Sequence, residues 1–338
     1  MNIALIGFGR VGQALIELFI TKKKYIFDKY NLKINVKCII KSNGGLYSET
    51  AIDLKELMSF IKENEVCKHK LWHNEIKVES MIKNANIDTL IELTPTNIVD
   101  GEPALTYIRN ALENKKNVIT GNKGPIVLKY KELKAIADNN GVKLKIGCTT
   151  GGALPSISGG IYDVAGSEIK SIEGILNGTT NYILTKMTND EITYEKALKE
   201  AQEEGIVESN PSLDVLGYDT ASKIIILSNV LMNTDIKLSD LKIQGITDIK
   251  LEDLKLEKSK NKKVKLIGKI EKNNDEVIAY VKPMPIDESH PLYSVDYKNK
   301  GVYYKTDTLG DISIIGGASG TMNAAASILR DIILLKEY

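Results

Sequence analysis

The first twelve residues constrain the fold more than any other stretch. Asn2–Ile6 is short and apolar, and Gly7-Phe8-Gly9-Arg10-Val11-Gly12 follows it directly. From there Val11, Leu15, Leu18 and Phe19 fall on one helical face. Glycines at this spacing between a strand and a helix each have a physical reason. The first permits a tight turn, the second lets backbone N–H groups approach a pyrophosphate, and the third lets helix and strand pack closely. The helix then turns its positive dipole end toward the phosphates. The pattern predicts a dinucleotide cradle made of Gly7, Phe8, Gly9, Arg10, Val11 and Gly12, with an ordinary glycine turn as the alternative.

The chain beyond the cradle alternates strand and helix. Ile34–Ile40, Thr89–Leu93, Asn117–Thr120 and Val142–Ile146 read as buried strands, and Pro103–Asn114 and Tyr130–Asn139 as helices. This predicts an α/β domain with a Rossmann-type, doubly wound parallel sheet over residues 1–147. The period changes at the small-residue segment Thr149–Pro155. Ile169–Leu176 then reads as a strand, Tyr194–Glu204 and Ala221–Met232 as long helices, and Lys263–Glu271 and Val277–Pro283 as antiparallel strands around Asn273-Asn274. These predict a second, α+β domain over 148–307. Ile312–Ile315, Gly316–Gly320 and a helix to Leu335 read as a return to the nucleotide domain from about 308 to 338.

Bulk properties exclude several classes. A net charge of +1 over 338 residues leaves no basic field for nucleic acid. No apolar run reaches the ~18 residues of a membrane span, and a strand beginning at residue 2 leaves no room for a secretion signal. Three cysteines, Cys38, Cys67 and Cys148, are an odd and sparse set that suits a reducing compartment. A soluble cytoplasmic protein is expected, with neither nucleic acid nor membrane as a partner. Cys67-x-His69-x3-His73 offers three metal ligands at irregular spacing, where a structural zinc wants four; a solvated turn around Trp72 is the better reading.

Cofactor choice is set at the end of the second strand, where NAD enzymes place an acid on the ribose diol. Ile39-Ile40-Lys41-Ser42-Asn43 contains none. Lys41 and Ser42 suit a 2′-phosphate, with Lys55 and Arg10 as further candidates, so NADP is preferred over NAD. Lys41 as one more solvated lysine is the alternative.

A second constellation lies far down the chain. Glu208-Ser209-Asn210-Pro211-Ser212-Leu213-Asp214 is a polar loop that Pro211 keeps from continuing as a helix. Asp219 and Lys223 follow at a spacing that puts them on one helical face, ahead of the apolar run Ile224–Leu227. A lysine in partly apolar surroundings with a carboxylate one turn away suits a proton shuttle. Glu208 and Asp214 offer acceptors for a substrate cation. Spacing alone favours a surface salt bridge with a polar loop beside it.

Taken together, these motifs resemble homoserine dehydrogenase over nearly the whole chain. The stretches that carry the likeness are Gly7–Gly12, Glu92–Asn97, Thr120–Pro125, Gly151–Pro155, Glu173–Leu184 and the run from Glu200 through Gly205, Glu208, Pro211 and Asp214 to Gly217-x-Asp219-x-Ala221-x-Lys223. The resemblance implies NAD(P)-dependent interconversion of L-homoserine and L-aspartate 4-semialdehyde, on the route to threonine, methionine and isoleucine. It implies that Lys223 is the acid/base, with Lys123 also reaching the reacting oxygen, and that Glu208, Asp214 and Asp219 bind or orient homoserine. Gly178 and Thr179 lie on the substrate side, Thr94 and Pro95 near the nicotinamide, and Gly320 at the cofactor. It further implies a Na+ or K+ ion on backbone oxygens of Gly147, Thr150, Gly152 and Leu154, and a homodimer built on a mixed sheet of the second domain, which the apolar strand Val277–Val281 suits. The chain departs from the family pattern at Gly121, where alanine is common, and at Thr150-Gly151-Gly152-Ala153, where Val-Gly-Ala-Gly is common. Ending at Tyr338, it leaves no room for an appended regulatory domain, so threonine feedback through one is not expected. Rival readings are an aspartate-semialdehyde dehydrogenase with Cys148 as nucleophile, and a non-catalytic NADP-binding regulator, which would not need Asp219 and Lys223.

Overall fold

The computed structural model describes every residue except Ser209, Asn274, Asp275, Ala318 and Tyr338, and only the backbone of Asn273 and Glu337. The expected turn at Asn273-Asn274, Ser209 of the polar loop and Ala318 of the glycine-rich segment therefore fall wholly or partly outside the described residues. The chain divides into two compact units, Met1–Thr149 with Gly320–Tyr338, and Thr150–Ser319.

The first unit holds a seven-stranded sheet. Its strands are β1 (Asn2–Ile6), β2 (Asn35–Lys41), β3 (Gly44–Tyr47), β4 (Trp72–His73), β5 (Thr89–Glu92), β6 (Asn117–Thr120) and β7 (Leu144–Lys145), in the order β4-β3-β2-β1-β5-β6-β7. Strands β2, β1, β5, β6 and β7 run parallel. Their register aligns Ile40, Ile6, Glu92 and Thr120 in one row at the carboxyl edge, where open α/β sheets bind ligands. The helices Arg10–Thr21 and Thr321–Glu337 pack together, and Ile3, Leu5, Leu15, Phe19, Leu46, Ile328 and Ile332 form one core with them.

Three features differ from the sequence reading. The sheet is mostly rather than wholly parallel, because Ser42 and Asn43 form a two-residue turn that sends β3 back antiparallel along β2. The helix expected at Tyr130 starts at Lys123, with non-helical dihedrals at Lys129. Gly124-Pro125 looks like a helix breaker, but a proline in the first turn surrenders an N–H that has no intrahelical partner. Finally, Ile312–Ile315 is not nucleotide-domain material.

It belongs instead to the second unit, whose strands are β8 (Ile169–Ile175), β9 (Lys242–Ile243), β10 (Lys263–Asn273), β11 (Glu276–Ile286), β12 (Lys300–Thr306) and β13 (Asp311–Gly316). The order is β13-β12-β8-β10-β11-β9, mixed because β9 alone pairs in parallel. As an edge strand β13 pairs only with β12 and alternates between exposed and half-buried residues, a pattern too short to separate from a buried strand by composition. The return to the first unit comes at Gly320.

Helix Tyr218–Leu231 sits directly on β10. A Cβ at Gly268 would stand 2.9 Å from Thr220 Cγ2, so glycine is what allows the approach. Ile224, Ile225, Ile226 and Leu227 are fully buried behind it. Helix Gly178–Asp190 is pinned by the buried ammonium of Lys265, which donates to Asn181 Oδ1 (3.0 Å), the Val295 carbonyl (2.6 Å) and Asp296 Oδ1 (2.7 Å). Among the described residues, no helix is long and apolar enough to cross a membrane.

In the first unit the Gly147 N–H donates to Asp331 Oδ2 at 2.8 Å, and burial pushes the Asp331 carboxyl up to about 6. Between the ordinary aspartate range and that value the native state holds more protons than the unfolded one, so this group's contribution to stability falls as pH rises from about 4 to 6. Asp331→Asn removes the dependence. In urea unfolding, the stability difference between variant and wild type should move in the variant's favour by up to about 3 kcal/mol from pH 4 to pH 7.

Candidate active site

In the first unit, Gly7 adopts φ +88°, and a Cβ there would lie 2.6 Å from the Thr94 nitrogen, so the turn is pressed against the exit of β5. Gly9 is the N-cap of helix Arg10–Thr21 in extended conformation, and no side chain caps that helix. The Cβ position at Gly9 has nothing within 4 Å. An uncapped helix start facing open space fits an anionic pyrophosphate, held by the backbone of Gly7, Phe8, Gly9, Arg10, Val11 and Gly12. Lys41 closes β2 beside this loop, whose Gly7 N–H donates to the Ile40 carbonyl at 3.0 Å. Ser42 is exposed in the turn, and Arg10 and Lys55 are exposed. Gly320, at φ +143°, precedes the C-terminal helix.

The next two strand ends are joined by a network that the sequence reading missed. Glu92 is 0% exposed. Its carboxylate accepts from the Thr94 N–H (2.7 Å), the Thr94 hydroxyl and the Thr120 hydroxyl (2.8 Å). Burial pushes this carboxyl up, and those hydrogen bonds oppose the shift. Asn122 donates to the carbonyls of Thr94 (3.2 Å) and Pro95 (3.3 Å) and accepts from the Gly124 N–H (3.1 Å), capping the helix that Lys123 opens. Glu92 and Asn122 thus hold Thr94, Pro95 and Lys123 in place. The signal was a lone charge inside the apolar run Thr-Leu-Ile-Glu-Leu: a buried carboxylate needs partners.

In the second unit, Asn177 follows β8 by two residues and caps helix Gly178–Asp190, its Oδ1 accepting from the Thr180 N–H at 2.9 Å. Its amide nitrogen donates to Asp214 Oδ1 (2.6 Å) and Asp219 Oδ2 (2.8 Å). The Lys223 ammonium donates to Asp219 Oδ2 (2.5 Å) and to the Leu176 carbonyl (2.8 Å). The side chains of Lys223 and Asp219 are only 13% and 11% exposed. This is not a solvated helix-face salt bridge, because the sheet end supplies a third partner. Two carboxylates and one ammonium leave a net negative patch, and the ammonium has a third hydrogen to offer. Gly178 and Thr179 form the first turn beside it and are partly exposed. Glu208 is exposed on the preceding loop and is not joined to the cluster by any side-chain hydrogen bond among the described residues.

Of the four residues expected around a monovalent cation, Leu154 gives its carbonyl to the Ser156 N–H at 2.9 Å; the contacts of Gly147 (N–H to Asp331 Oδ2) and Thr150 (Oγ1 with Ser156 Oγ, 2.7 Å) do not use their backbone oxygens, and Gly152 has φ +60°. The Cys148 thiol donates to the Ala324 carbonyl at 3.7 Å and packs against the first core.

Comparison with known proteins gives a consistent picture. Residues 7–146 match the family described as "Homoserine dehydrogenase, NAD binding domain", and residues 155–333 the one described as "Homoserine dehydrogenase". The chain is 37% identical to homoserine dehydrogenase of Methanocaldococcus jannaschii, with 98% of each chain covered. It is 33% identical to the NAD(+)-dependent homoserine dehydrogenase of Pseudomonas canavaninivorans, covering 98% of this chain and 95% of the relative. A crystal structure from Archaeoglobus fulgidus superposes with a TM-score of 0.88 at 33% identity, covering 99% of this chain and 98% of that one.

Asn177→Ala removes a helix cap and two charge-assisted hydrogen bonds. It should lower stability by about 2–4 kcal/mol in urea unfolding.

Proposed function

This chain belongs to the homoserine dehydrogenase family of NAD(P)-dependent oxidoreductases, and on that premise we propose how its residues share the interconversion of L-homoserine and L-aspartate 4-semialdehyde. The observation that carries the reading is the Asn177 amide spanning Asp214 and Asp219, with Lys223 on the latter. When bound, the dinucleotide supplies the hydride acceptor.

Lys223 is the acid/base. As a neutral amine it takes the proton of the substrate hydroxyl in oxidation, and as an ammonium it returns that proton to the aldehyde oxygen in reduction. Asp219, one helical turn earlier, holds Nζ in place. Asp214 and Asp219 accept the substrate ammonium, with Glu208 on the exposed loop as a further acceptor. Gly178 and Thr179 belong to the substrate side. Thr94, Pro95, Lys123 and Gly320 belong to the cofactor side, with Glu92 and Asn122 as positioning residues.

The acid-free end of β2 favours NADP, with Lys41 and Ser42 on the 2′-phosphate; the NAD(+)-dependent relative supports NAD as the alternative. A groove of about 530 Å³ lined by Val277, Ile278 and Tyr280 of β11 supports a homodimer through the second sheet. The sparse cysteines and the catalytic role suit a cytoplasmic enzyme.

Lys223→Ala should lower kcat by about 10²–10⁴-fold while NADP affinity, read by fluorescence titration, stays unchanged. Turnover close to wild type would remove Lys223 from the chemistry. Lys41→Ala should raise the KM for NADP about ten-fold and leave that for NAD nearly unchanged; equal effects on both would remove Lys41 from cofactor selection.

A further inference from the structure

The segment Thr150–Leu154 is where backbone oxygens were expected to meet an alkali cation, and a side-chain ammonium is already there. Lys300 opens β12 and is 5% exposed, and its Nζ donates to the Gly151 carbonyl at 2.6 Å. The Cβ position of Gly152 lies 3.6 Å from the same nitrogen, so the ammonium rests against both glycines. The Gly151 oxygen also accepts from the Leu154 N–H, which uses both of its lone pairs. The far side is closed by the strand end. Gly316 is the register partner of Lys300, and Gly317 packs so tightly on Leu154 that a Cβ would come 2.5 Å from the Leu154 Cα.

A buried ammonium persists only where acceptors replace its lost water. A second monocation bound to the same short segment would be opposed by like-charge repulsion from this ammonium. The chain's own residues therefore do not fit the ion. We propose that Lys300 is a built-in cation that holds the Thr150–Leu154 segment against β12 and makes this protein independent of Na+ and K+. The melting readout below does not depend on the assigned activity; only the rate measurement does.

The test compares thermal unfolding and homoserine oxidation of the full-length protein in potassium, sodium and tetramethylammonium chloride at constant ionic strength, with calorimetric titration of KCl and NaCl. Wild type should show the same Tm and kcat/KM in all three salts and no saturable binding heat. Lys300→Ala, which removes the charge and leaves room for an ion, should melt lower in tetramethylammonium and recover saturably with K+ or Na+. A saturable rise of the wild-type Tm with either ion overturns the proposal. So does a Lys300→Ala protein that melts like wild type in every salt, or one that melts lower and is restored by neither ion. If Lys300→Ala does not fold, the wild-type titration decides: salt-independent supports the proposal, saturable overturns it. A loss of homoserine oxidation in all salts, with Tm behaving as expected, would instead count against the assigned activity.

Discussion

The carboxamide of Asn177 ties three helices of the second unit together. Its oxygen caps one helix, and its two N–H groups reach carboxylates on the short helix Ser212–Val215 and on helix Tyr218–Leu231. A neutral double donor can serve two carboxylates at once without adding charge of its own. Serine could not donate twice, and aspartate would add a third negative charge. Because Asp219 in turn holds Lys223, and Lys223 donates to the Leu176 carbonyl next to Asn177, the segment after β8 and helix Tyr218–Leu231 close one hydrogen-bonded cycle, with Asp214 attached to it through Asn177. The cycle fixes the ammonium that the proposed chemistry uses before any substrate arrives.

The first unit solves the same problem with the same residue type. Asn122 follows a strand, caps the helix after it, and uses its amide nitrogen to hold the neighbouring strand's exit loop. Beneath it lies Glu92, whose desolvation is offset by hydroxyl and backbone donors from Thr94 and Thr120. In both units a lysine given a role in the proposed chemistry sits in the first or second turn of a helix rather than on an exposed loop, which restricts its motion. Lys265 and Lys300 extend the theme, since each is a buried ammonium that pins a loop by its carbonyls.

Much of this was legible beforehand where the signal was local. A strand, three spaced glycines and a helical apolar stripe need no distant partner, and β1 and the helix behind the cradle lie where the pattern put them. The resemblance carried by Asn177–Asn181 and by Asp214, Asp219 and Lys223 named residues that the structure does bring together. What was missed depended on context. The hairpin turn at Ser42-Asn43 and the edge strand Asp311–Gly316 have no composition of their own, and Gly124-Pro125 reads as a break until its place in a first helical turn is known. Glu208, chosen on motif, stays exposed and apart from the cluster among the described residues.

By itself the sequence determined the periodicities, the glycine cradle, the lack of an acid at the end of β2 and the identity of the groups able to carry charge. These follow from steric and solvation rules that act within a few residues. Only the tertiary structure decided which of those charges are buried and what they touch. An i,i+4 pair such as Asp219 and Lys223 is a weak surface contact or a desolvated pair according to whether a strand end and an amide come to meet it, and a lysine such as Lys300 is a solvated charge or an internal cation according to whether carbonyls enclose it. Burial and partner identity arise from segments more than a hundred residues apart in the case of Lys300 and Gly151, and no local pattern records them.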